Sequence, residues 1–130
     1  MDKILSVALV LAAFVFLVLG AGWLIVPAVV APQLGMPLLE AEGLSTQIGD
    51  LASFFLTLGG CILIAQFSGN RFWFYPPIML LGLAASGRVI AWLFHGAALT
   101  YDMIAVEAAV VALLVFALRR SAVPGTGRAS

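Results

Sequence analysis

Apolar positions in this chain come in long runs rather than in narrow stripes, and polar positions collect between them. The runs cover 4–26, 46–67, 76–95 and 99–118. Each is about the ~20 residues a helix needs to cross ~30 Å of hydrocarbon. Pro27 and Pro32 close the first run, and "SGN" at 68–70 ends the second. Pro76 and Pro77 suit the first turn of a third helix, where a missing N–H costs least. "HGAALT" at 95–100 is a tight turn, and Arg119 and Arg120 end the fourth run. The pattern predicts an all-α fold, a four-helix transmembrane bundle. It forms a single domain over 1–120, followed by a small, polar, disordered tail at 121–130.

Between the first two runs lies "PAVVAPQLGMPLLEAEGLS", which reads as a loop with a short surface helix at 37–42. Ser45 or Thr46 caps the helix that follows. Trp23 falls near the far end of the first run, where an indole prefers the membrane interface. Phe72, Trp73, Phe74 and Tyr75 beside Arg71 read as an aromatic belt.

Composition agrees with this reading. Hydrophobic residues make up 64% and charged residues 9%, against roughly half and a quarter in soluble domains. A soluble helical bundle of this size has too little interior for so much apolar surface. Formal net charge is zero and no basic run is present, which excludes nucleic acid as a partner. Cys61 is the single cysteine and His95 the single histidine. Neither a disulfide nor a zinc set follows, and Cys61 reads as a packing residue. No metal or cofactor is expected, haem included. The first run follows Lys3 like a signal peptide, but its length exceeds the usual core of about 7–15 residues. It reads as a retained span.

Four spans put both termini on one side. Lys3, Arg71, Arg119, Arg120 and Arg128 all fall there, while the loops after the first and third runs hold no Lys or Arg. The positive-inside rule then places both termini in the cytoplasm of a bacterial inner membrane. Glu40, Glu42, His95 and Asp102 face outward.

The remaining basic residue, Arg88, interrupts the third run in "GLAASGRVIAWLFHG". A charge there costs about 2.5–3.5 kcal/mol on insertion scales, and the apolar residues of the run roughly offset it. Such a residue is expected to face the bundle interior and to find a partner. Arg88 precedes His95 by seven residues and Glu107 follows Thr100 by seven, so both lie ~10 Å below the same membrane face. A short turn makes the two helices antiparallel neighbours. An Arg88–Glu107 pair is predicted. Asp50 lies ~6 Å deep from that face. It either completes a three-charge cluster or, in a first turn, complements the helix dipole.

Helical phase sets further candidates. Gln47, Asp50, Phe54, Thr57 and Cys61 share one stripe. Trp92, His95 and Ala84 share a face with Arg88, and Thr100, Met103 and Val111 share one with Glu107. Gln47, Trp92, His95, Thr100 and Met103 are therefore candidate ligand-lining positions. Asp102 points elsewhere, toward the water rim. Ser53, Thr57 and Gly60, Gly82 and Ser86, and Ala105, Ala108, Ala109 and Ala112 are spaced for close helix contact.

"FFLTLGGCILIAQF", Gly87-Arg88 and Glu107 together resemble a bacterial family of small four-span integral membrane proteins known only as a domain of unknown function. The resemblance covers about 4–120. It departs in the loop at Arg71, where more basic residues are expected. It implies a multi-pass helical fold and no activity. The architecture is also that of other small four-helix membrane families, the DoxX-like proteins among them.

Two functions follow. In the first, the charged cluster fixes helix register in a structural protein or an interaction subunit. Its partners are the bilayer and other membrane subunits or a second copy. In the second, the cluster binds the polar part of a lipophilic small molecule in the outer half of the bundle, as a binder or an enzyme. His95 as a general base is the enzymatic variant, but a lone histidine at a span end reads first as an interface residue. No known catalytic sequence motif occurs.

Overall fold

The computed structural model describes residues 2–121, and every regular element among them is helical. In chain order these are α1 (Lys3–Ile25), α2 (Pro27–Gln33), α3 (Ala41–Ser68), a 3₁₀ turn (Arg71–Phe74), α4 (Tyr75–His95) and α5 (Tyr101–Ser121). α1, α3, α4 with its preceding turn, and α5 are each long and apolar enough to cross a membrane. The tail expected to be disordered lies outside the described residues, except Ser121, which ends α5.

The chain alternates direction and builds two helix pairs. α1 packs along α3, and α4 packs along α5. The α1–α3 contact is close because two glycines permit it. A Cβ on Gly59 would stand 2.5 Å from Leu17 Cγ and 2.7 Å from the backbone oxygen of Ala13. One on Gly20 would stand 2.6 Å from Leu56 Cγ. The small residues expected at contacts behave otherwise. A Cβ on Gly60 or Gly82 would meet nothing within 4 Å, and Thr57, Ser53, Ala105, Ala108, Ala109 and Ala112 are exposed. A one-residue shift of phase around α3 separates Gly59 from Gly60, and composition cannot supply it.

The two pairs converge at the end that carries Lys3, Arg71, Arg119 and Arg120. Leu9, Leu58, Ile62, Leu81 and Leu114 form the core there, closed by Phe74. Gln66 Nε2 donates to Ser6 Oγ at 2.8 Å, tying the last turns of α3 to the start of α1. Phe74 therefore departs from the expected belt: it is 1% exposed, while Phe72, Trp73 and Tyr75 remain on the surface. Arg71 lies over the Phe72 ring and Arg120 over the Phe116 ring, so the cations rest on aromatic faces.

The opposite end differs most from expectation. No separate helix forms at 37–42. The helical piece is α2, with Pro27 in its first turn and Pro32 inside it. Pro27 supplies the preset φ of a helix start, so it ends α1 and begins α2 at once. α2 folds back over Trp23, which is fully buried with Val30, Ala31 and Ala52 rather than held at an interface. α3 starts at Ala41, five residues before the expected 46. The hairpin of α4 and α5 stands away from this region: no residue from 82 to 106 is buried.

Apolar side chains such as Phe14, Ile25, Phe67, Leu83, Phe94 and Val106 are exposed around all four long helices. Such a surface suits hydrocarbon rather than water.

Gly59→Ala should destabilise the fold by about 1–3 kcal/mol, because the Ala13 carbonyl cannot yield. Gly60→Ala should be neutral or slightly stabilising, since helix propensity favours alanine by up to ~1 kcal/mol. Denaturant titration in detergent micelles, followed by circular dichroism, measures both; equal stabilities would contradict the packing.

Candidate functional site

The divergence of the two helix pairs leaves a cleft of about 670 Å³, open on one side. The four long helices, the end of α2 and the segment after it build its walls. α1 and α3 contribute Phe16, Leu19, Phe54 and Phe55. The Phe16 and Phe55 rings stack at 6.2 Å, and Phe54 meets Phe55 edge-on at 5.1 Å. α4 contributes Leu81, Ala84 and Arg88 at steps of three and four residues, one face of a helix. α5 contributes Met103, Val106, Glu107 and Val110 in the same way. Gln33, Leu34 and Met36 close the remaining side.

Two charges meet inside this apolar frame. Arg88 Nε donates to Glu107 Oε1 at 3.0 Å and to Oε2 at 3.1 Å. The Glu107 side chain is 11% exposed and that of Arg88 34%. The carboxylate is thus the more enclosed partner, and both residues line the cleft. The two terminal nitrogens of Arg88 make no hydrogen bond with a described residue. Arg88 keeps donors for whatever enters.

Asp50 lines the same cleft without joining the ion pair. The three-charge cluster is therefore one pair and a separate acid. Nor is Asp50 in a first turn: it lies nine residues into α3, where Glu42 is the first-turn acid. Asp102, expected at the water rim, is exposed and also lines the cleft. Three carboxylates and one guanidinium share the site.

The other candidate positions fall in different places. Met103 is half-buried on the cleft wall. Gln47 is buried outside the cleft and holds the loop after α2. Its Oε1 accepts from the Leu39 N–H at 2.9 Å, and its Nε2 donates to the Pro37 carbonyl at 3.0 Å and toward Met36 Sδ at 3.6 Å. Trp92 and His95 are exposed near the end of α4 and do not line the cleft. Thr100 precedes α5, and its carbonyl accepts from the Ile104 N–H. Among the described residues, no group of three or more His, Cys, Asp and Glu is placed to hold a metal ion.

Sequence reasoning missed the α1 wall and the segment at 33–36. Nothing marks Phe16 or Leu19 among so many apolar neighbours. The loop segment did carry a signal, because a proline that ends one helix also suits the first turn of the next.

No family model, curated protein or solved structure matches the chain.

The exposures make the ion pair asymmetric. Arg88→Ala should cost about 3 kcal/mol, since it strands an enclosed carboxylate. Glu107→Gln should cost less, because the longer, more exposed Arg88 can turn toward the cleft mouth. Replacing both by leucine should restore much of the loss. A double-mutant cycle by denaturant unfolding in detergent checks this; a double variant as unstable as Arg88→Ala would contradict the pairing.

Proposed function

We propose that this is a small multi-pass protein of a bacterial inner membrane, with both termini cytoplasmic, that binds a lipophilic small molecule in the cleft beside Arg88 and Glu107. The carrying observation is the cleft: an apolar, ligand-sized space with a few convergent polar groups on its wall. A pair of charges needed only for register would be enclosed on all sides. Here the Arg88 side chain is one-third exposed and only Nε is engaged.

In this reading the apolar walls hold the hydrophobic body of the ligand. Its polar part lies against Arg88, Asp50 and Asp102. No reaction is proposed. His95, the general-base candidate, is away from the cleft, and no activated nucleophile lines it. The orientation rests on the basic residues gathered where the helix pairs converge. On that reading the cleft opens at the outer face. Membership in the small four-span family of unknown function accords with the same architecture and remains part of this proposal.

A second reading, an interaction subunit, is favoured by one observation. Ala105, Ala108, Ala109 and Ala112 form an exposed small-residue face on α5, of the kind transmembrane helices use against a partner.

Purification in native lipid particles followed by mass spectrometry separates the two. The binding reading expects a small molecule or lipid retained at near one per chain, and lost when Met103→Trp fills the cleft. A stoichiometric second polypeptide with no retained small molecule would favour the subunit reading. For topology, Cys61→Ala combined with Ala98→Cys should react with an impermeant maleimide on intact spheroplasts. Ser121→Cys should react only after permeabilisation; the reverse pattern would invert the proposed orientation.

A further inference from the structure

We infer that the cleft selects lipophilic cations, an inference that rests on the binding reading above. The argument is the charge balance of its wall. Arg88 and Glu107 neutralise each other across 3.0 Å. That leaves Asp50 on α3 and Asp102 on α5, both on the cleft wall and both exposed. Neither carboxylate forms a salt bridge or a hydrogen bond with a described side chain. No lysine, histidine or second arginine lines the space to balance them. The cleft wall thus carries two carboxylates with no basic side chain to balance them.

A cation in the cleft gains attraction from both. The aromatic rings of Phe16, Phe54 and Phe55 on the same wall add surface that receives positive charge and apolar bulk alike. A carboxylate or phosphate head meets the opposite field. The terminal nitrogens of Arg88 are its only cationic donors there, and Glu107 already offsets their charge. Neutral heads gain only the terminal nitrogens of Arg88. The occupant fitting both volume and charge is a hydrophobic body bearing one delocalised or alkylated positive charge.

The test uses three probes of similar bulk and different charge: tetraphenylphosphonium, triphenylphosphine oxide and tetraphenylborate. Calorimetric titration of the full chain in zwitterionic-lipid nanodiscs, with empty nanodiscs subtracted, gives each affinity. The phosphonium should bind saturably and about tenfold or more tighter than the borate, as two partly screened carboxylates would give. Asp50→Asn with Asp102→Asn should erase that preference, weakening the phosphonium about tenfold more than the neutral probe. Both positions are exposed and the change is isosteric, so the fold is retained; circular dichroism verifies this. If the probes bind with no charge preference, or the borate binds best, the cation inference falls and the cleft remains a binding site. If none binds saturably, the binding reading falls with it.

Discussion

A carboxylate enclosed by apolar side chains needs a donor within the protein, and this requirement organises the α4–α5 half of the molecule. Glu107 is 8% exposed. Satisfying it requires Arg88 at the same level on the adjacent helix, which sets the register of α4 against α5. The pair adds little net stability by itself, because desolvation consumes most of the attraction. Its effect is one of selection. A slip of either helix by one residue would turn one charge out of the contact and leave the other alone. The helices here are otherwise nearly uniform in their apolar character, so few other contacts penalise such a slip.

The other half is organised by shape instead of charge. Gly20 and Gly59 bring α1 and α3 into close contact, where dispersion between well-fitted surfaces supplies the cohesion. Between the tight pair and the charged pair the fit is good only where Leu58, Ile62, Leu81 and Leu114 interlock. Beyond Leu81 the pairs part, and the cleft occupies the difference. The candidate site is thus a product of two unlike packing rules meeting in one bundle.

Much of this was legible in the residues. Length and apolarity of the runs were enough for four long helices, because hydropathy over about 20 residues averages out local detail. The starts of α4 and α5 fell within two residues of expectation. The Arg88–Glu107 contact was legible because depth along a helix is simple arithmetic and the connecting turn is short. Azimuth was harder. On helices this apolar, hydrophobic periodicity is nearly flat, so Thr57 and Gly60 were placed at contacts that belong to Gly59. Trp23 was assigned by the habit of indoles at interfaces, yet α2 covers it. The segment at 27–40 was least legible, since several prolines can signal either irregular chain or the start of a short helix, and only tertiary contact with α1 and α3 decides.

Phe74 has a bearing beyond the core it completes. Sitting where α3, α4 and α5 meet, it seals the basic end of the bundle beneath the interlocked leucines. The cleft therefore ends at this packed core instead of extending through it. An occupant of the proposed site would thus rest on a packed floor, its depth of entry set by Leu81 and the leucines behind it.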